Sequence, residues 1–248
     1  MDFHERMGIV HALHRLWNPL PDAVIDELAE LMDLGPGRRV LDIGCGAGEL
    51  IVRWARDRGV SAVGVDCSPW ALTQARSRRD AAELDVAFVE ARGEEFETNE
   101  RFDVVSCLGA SWIWGGYRGT LRALKAFVRS GGFVVVAEPF RLREPDPEYL
   151  EGVGLKREEL HDLPELLEIA VEEGLRPLTL LGSSPTDWDR YETRQLAAVD
   201  RWMRANPDHP DRESVWEETL KGVRLHLRWG RETLGDALVL LREPSPVS

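Results

Sequence analysis

The sequence predicts an α/β protein whose parallel sheet is covered by helices on both faces. Three observations predict it. Short apolar strands alternate with amphipathic stretches of ten or more residues, the rhythm of βαβ units. A glycine turn, Gly44-Cys45-Gly46-Ala47-Gly48, follows the first strand and opens a helix. The chain has 248 residues, 43% hydrophobic and 30% charged, enough for one such sheet with an added subdomain.

The elements follow in order. Val24, Leu28, Leu31 and Met32 share one face of a helix over 21–34; Pro21 suits its first turn and Gly35-Pro36-Gly37 ends it. Arg39–Ile43 is the first strand, and a helix over 48–58 turns Leu50, Ile51, Trp54 and Ala55 inward. The second strand, 61–65, ends at Asp66; Ser68-Pro69 then supplies an N-cap and a first-turn proline for a helix over 69–82. Strands over 86–89 and 102–107 precede a helix over 118–129 that carries Leu121, Leu124 and Phe127 toward the sheet. Ser130-Gly131-Gly132 turns into a fifth strand, 133–137, apolar throughout as a central strand should be. Residues 140–162, rich in proline and charge, read as a loop or lid. A helix over 163–173, a strand over 175–181, helices over 187–205 and 212–230 and a strand over 237–241 complete the chain.

Composition narrows the function. A formal net charge of −13 disfavours nucleic acid, whose phosphates are held by cations, and disfavours anionic lipid equally. The basic run Arg76, Arg78, Arg79 reads as the solvated end of a helix. Cys45, Cys67 and Cys107 have no framework spacing and read as reduced thiols. Residues 1–20 lack the apolar core of a secretory signal, and no apolar run approaches the ~18 residues of a membrane span. The expectation is a cytoplasmic protein that acts on a small molecule, as monomer or homodimer, without a metal.

The glycine turn carries the chemistry. Without Cβ atoms the chain can turn sharply and a ligand can lie against bare backbone. Asp66 ends the next strand, 22 positions after Gly44, where a carboxylate can hold the ribose hydroxyls of a nucleoside. A nicotinamide fingerprint would place a third glycine where Glu49 stands, and Asp42 just before the turn repels a pyrophosphate. An adenosine ligand with a positively charged tail fits instead. The chain also lacks a Tyr-x-x-x-Lys pairing for hydride chemistry, which disfavours an NAD-type oxidoreductase.

With these residues the chain resembles the class I S-adenosylmethionine-dependent methyltransferases over about 38–182 and the last strand. The resemblance implies a seven-stranded Rossmann-like sheet of order 3-2-1-4-5-7-6 with strand 7 antiparallel. It implies a core of 38–182 and 235–243, an N-terminal helical cap of 1–37, and a helical insertion, 183–234, between strands 6 and 7 as substrate cap or dimer face. S-Adenosyl-L-methionine is the implied cofactor. Asp42, Gly44, Cys45, Gly46 and Gly48 would lie along its methionine part, Asp66 would hold the ribose and Cys67 would lie beside the adenine. Glu90-Ala91-Arg92 match the adenine contacts, and Leu108-Gly109 match the reacting edge. His14-Arg15, Asn18-Pro19, Gly109-Ala110-Ser111-Trp112-Ile113, Glu138-Pro139-Phe140 and Trp188-Asp189-x-Tyr191-Glu192 further resemble a bacterial subfamily; that likeness extends the fold and carries no acceptor.

On the acceptor side the expected groups are His14, Glu138 and Tyr191 as catalytic candidates, with Trp112, Trp114 and Trp188 as walls for an aromatic or cationic acceptor. Each has a plainer reading. His14 then positions backbone, Glu138 pairs with Arg141, and the tryptophans pack helices. Strand four ends in Cys-Leu-Gly-Ala-Ser-Trp, not the Asn-Pro-Pro-Tyr-type loop of amide or nucleobase methylation, and no Pro-Cys nucleophile is present. Three cysteines at strand ends do not make a soft metalloid site. A protein that holds the cofactor as sensor or scaffold without turnover is the alternative.

Overall fold

A computed structural model describes residues 1–80 and 82–245. Its strands are β1 (Arg39–Ile43), β2 (Ser61–Asp66), β3 (Val86–Glu90), β4 (Phe102–Leu108), β5 (Val128–Arg141), β6 (Arg176–Gly182) and β7 (Leu234–Arg242). They form one sheet in the order β3-β2-β1-β4-β5-β7-β6, with β7 antiparallel to both of its neighbours. The helices are α1 (Phe3–Val10), α2 (Asp22–Leu31), α3 (Glu49–Arg58), α4 (Pro69–Asp80), α5 (Tyr117–Lys125), α6 (Pro147–Val153), α7 (Leu163–Glu172), α8 (Pro185–Ala205) and α9 (Arg212–Leu225).

The two-residue period of the strands builds a core on each face. Val40, Val104, Val135 and Leu238 face Ile25 and Leu28 of α2 and Ile51 and Trp54 of α3. Leu41, Val105, Val136 and Val239 face Leu121 and Leu124 of α5 and Leu166 of α7. Trp54 is fully buried, and its indole N–H donates to the Ile25 carbonyl at 3.3 Å, so ring and polar atom are both accommodated. Below the sheet, buried Asp103 accepts from Arg38 and from the Arg39 backbone, both at 2.9 Å, and pairs with Arg129. One carboxylate thus joins the starts of β1, β4 and β5.

Above the sheet, α1, α8 and α9 make a second layer through Ile9, Val10, Val199 and Val215. Local chemistry sets their ends. Asp2 accepts from the Glu5 N–H at the start of α1, and Ser184 and Asp187 form a capping box around Pro185 at the start of α8.

Four stretches depart from the sequence reading. The helix expected over 118–129 stops at Lys125, and β5 begins at Val128. The expected turn at 130–132 is a bulge inside β5, where the register passes from Phe102 opposite Val128 to Val104 opposite Phe133. Gly131 takes φ +73°, which a branched residue would resist. The expected loop over 140–162 contains α6, because Tyr149 is buried against Leu160 and Leu234 and anchors the segment. The helix expected over 212–230 narrows to α9, then widens into a π-helical turn, His226–Gly230; Gly230 leaves space that a Cβ would take from the Tyr149 ring.

Candidate cofactor and acceptor site

The strand ends converge on the glycine turn. Gly44 and Cys45 both donate their N–H groups to the Val65 carbonyl, at 2.8 and 3.0 Å, which folds the turn back across β2. At Gly44 a Cβ would lie 2.7 Å from the Ala110 side chain, so glycine alone lets the ends of β1 and β4 approach. Asp66 faces this turn. Its Oδ2 accepts from Gly46 N–H at 2.7 Å and its Oδ1 from Ser68 N–H at 2.8 Å, which leaves a lone pair on each oxygen for a ligand.

Asp42 is buried and accepts from Ser106 Oγ at 2.7 Å. Burial pushes its carboxyl up to about 7, against the Ser106 hydrogen bond and with help from the Asp66 charge. Such a group gains from an incoming positive charge.

A cavity of about 860 Å³ lies over these residues. Asp42, Gly44, Cys45 and Gly46 form its floor, and Asp66, Cys67 and Arg92 one end. Leu108, Gly109 and Ala110 form another wall, with Trp112 at the rim, 67% exposed. Gly48 faces inward; a Cβ there would meet Phe88 at 2.8 Å and Ala75 at 3.0 Å, so its bareness serves helix packing. Glu90 and Ala91 sit at the end of β3 outside the lining, and Ala91 packs on the core.

The acceptor-side candidates separate. Tyr191 lines the cavity, whereas His14 lies behind it, its Nε2 2.9 Å from the Tyr191 carbonyl. His14 therefore sets the backbone of α8 at that point, and burial lowers its affinity for a proton. Glu138 is buried, with Oε1 accepting from Ser111 Oγ at 2.9 Å; Arg141 turns away to Asp162 and Glu165 instead. Burial pushes Glu138 up to about 7. Trp114 packs on the core below, and Trp188 stacks on His226 and packs beside Tyr149, so the structure moves both rings off the cavity.

Sequence reasoning expected a cover from residues 1–37 and 183–234, with Tyr191 as a candidate, but missed the N-terminal side chains that form its roof. Trp17 lies over the glycine turn, its ring 3.7 Å from the Cβ position of Gly46. His11 stacks between Trp17 and Tyr191, with ring centroids at 5.1 and 5.6 Å, and Phe3 and Met7 of α1 extend this cover. Arg15 and Arg78 both pair with buried Glu49, at 2.8 and 3.4 Å, and Arg78 donates to the Ala47 carbonyl at 2.9 Å. Arg78 is thus a clamp on the turn rather than a solvated helix end. Glu49, seen only as a missing glycine, was the available signal.

Comparison with known proteins agrees with this geometry. Residues 40–132 match the family described as methyltransferase domain. The chain is 31% identical over 242 residues to a protein named "Uncharacterized protein YjhP" from Escherichia coli (strain K12), covering 95% of this chain and 96% of the other. It superposes with TM-score 0.89 and 31% identity on a SAM-dependent methyltransferase from Thiobacillus denitrificans in complex with S-adenosyl-L-homocysteine, covering 97% and 99% of the two chains. The corresponding enzyme from Geobacter sulfurreducens, also bound to S-adenosyl-L-homocysteine, gives TM-score 0.90 at 29% identity, covering 96% and 97%.

The chain belongs to the class I S-adenosylmethionine-dependent methyltransferases. Within that class it aligns over 95–97% of its length with these bacterial proteins. S-Adenosylmethionine is its cofactor.

Proposed function

We propose that this methyltransferase acts on a small-molecule acceptor held beneath α1 and α8. The observation that carries this reading is the roof of Phe3, Met7, His11, Trp17 and Tyr191, which covers part of the cavity where a groove for a polymer would be open along its length. In this reading residues 1–37 and 183–234 are the substrate cap on the core of 38–182 and 235–243.

The residues present fit the cofactor. Bare backbone at Gly44 and Gly46 admits its methionine part. The buried Trp17 indole N–H has no protein partner and stands over that backbone, a donor for the carboxylate. Asp66 offers lone pairs to the ribose hydroxyls, and Cys67 and Arg92 flank the adenine end. Asp42 faces the positive charge. When bound, the cofactor supplies a methyl group already activated by its sulfonium charge.

The protein's part is alignment and exclusion of water. Asn18 holds the cap over the end of β4: its Oδ1 accepts from Leu20 N–H at 3.1 Å and its Nδ2 lies 3.4 Å from the Cβ position of Gly109. Tyr191 forms the acceptor wall, held from behind by His14. Glu138 is a buried carboxylate held by Ser111, beside the Gly109–Ala110 wall of the cavity.

The test uses methyl-labelled S-adenosylmethionine and a fractionated cell extract. Label in a low-mass product that separates by chromatography from S-adenosylmethionine supports the reading; transfer only to precipitated protein or nucleic acid refutes it.

A further inference from the structure

Exposed apolar side chains gather where the cavity meets solvent. Trp112 and Phe3, 67% and 65% exposed, are the two most exposed large apolar residues among those described, and both line the cavity. Val153, at the end of α6, is also exposed and lines it too. A side chain that both lines a cavity and faces water stands at its mouth. These three come from separate elements, α1, the 3-10 turn Ser111–Trp114 and α6, so no single amphipathic pattern accounts for them. Exposed apolar residues scattered singly need no explanation, whereas several converging on one opening mark a surface that a ligand covers.

The interior behind the mouth has the same character. Met7, Leu108, Ala110 and Ile113 line it, with Tyr191 as an aromatic wall. The carboxylates and arginines of the described lining are engaged elsewhere. Asp42 and Asp66 serve the cofactor, Glu49 holds Arg15, and Glu94 holds Arg92. His11, pushed down to about 3 chiefly by burial, is a neutral ring. The lining left for an acceptor is therefore mostly apolar, within one cavity that runs out to the exposed rings. A compact polar molecule would leave those rings bare to water; a molecule with an apolar chain would cover them.

Resting on the small-molecule reading above, we propose that the acceptor carries an apolar chain that leaves the cavity through this mouth and rests on Phe3, Trp112 and Val153. The reacting end lies inside against the cofactor, and the chain supplies affinity by removing apolar surface of both partners from water. Binding energy gathered at the mouth then holds the reacting end in line with the methyl group.

The experiment titrates the full chain, saturated with S-adenosylhomocysteine, with phenol, 4-ethylphenol, 4-butylphenol and 4-hexylphenol, and reads affinity by calorimetry. Affinity should rise about twofold or more per added methylene, since a methylene wholly removed from water contributes about fourfold and one at an open mouth about half that energy. Trp112→Ser and Phe3→Ser, at positions too exposed for the fold to depend on them, should each weaken 4-hexylphenol at least fivefold and phenol less than twofold. Val171→Ser, at a comparably exposed apolar residue of α7 that lines no part of the cavity, should change neither. A flat series, or a rise that either mouth variant leaves intact, overturns the proposal. A flat series together with binding to phosphatidylcholine vesicles that Trp112→Ser abolishes also overturns it, and assigns the mouth to a membrane surface. Binding of S-adenosylhomocysteine, measured first in the same titration, and low-mass label from the extract do not depend on the series, so failure here is distinct from failure of the reading above.

Discussion

Asp42→Asn should stabilise the protein without cofactor and weaken its hold on the cofactor. The native carboxyl is buried and held up to about 7 from 3.8, chiefly by loss of water. A raised acid is a penalty on the native state: absent below the unfolded value, it grows as pH rises and is complete above the native value. At about 1.4 kcal/mol per unit, a rise from 3.8 to about 7 amounts to about 4 kcal/mol above pH 7 and about 1.5 kcal/mol at pH 5. Asparagine removes the charge, and its amide oxygen can still accept from Ser106 Oγ, which now stands 2.7 Å from the carboxylate. The variant's gain, read from urea unfolding of cofactor-free protein, should therefore be larger at pH 8 than at pH 5 by about 3 kcal/mol. In the same variant, affinity for S-adenosylmethionine should fall by roughly tenfold or more, the loss of one interaction with a charged group. A gain independent of pH, or a loss of stability at pH 8, would refute the reasoning.

Further outcomes follow from the same site. In the wild-type protein, affinity for S-adenosylmethionine should rise with pH up to about 7 and level off above it, because the positive ligand favours ionised Asp42; calorimetry across pH 5.5–8.5 checks this, and a flat profile contradicts it. Asp66→Ala should weaken the cofactor by ~2 kcal/mol or more by removing the carboxylate that faces the glycine turn, and unchanged calorimetric affinity would exclude the ribose assignment. Gly48→Ala should destabilise by about 1–3 kcal/mol in denaturant unfolding, since φ is +72° and Phe88 stands 2.8 Å from the new carbon. Glu49→Gln should loosen the cap through Arg15 and Arg78, seen as faster limited proteolysis within residues 10–21 and a several-fold weaker cofactor; unaltered cleavage would show that the pairs do not hold the roof.

Much of the core was legible in the chain itself. Strand periodicity, the glycine turn and the carboxylate one strand later are local patterns whose physical meaning depends on few neighbours. Those patterns placed β1 to within its observed ends and set Asp66 opposite the turn. Local pattern failed where distant packing decides. Tyr149 turned a polar stretch into α6, and the glycines expected to turn the chain at 130–132 form a bulge inside β5 instead.

The sequence by itself determined the class of sheet, the cofactor turn and the acidic residues around it, because backbone freedom and side-chain period act within a few residues. Only the tertiary structure decided which side chains roof the cavity and which buried carboxylates become neighbours. His11 and Tyr191 meet across 180 positions, and Glu138 and Asp236 become neighbours through the antiparallel pairing of β5 with β7. No local periodicity encodes such encounters; they are set when the helical layer docks on the strand ends and buries apolar surface that neither part can bury alone.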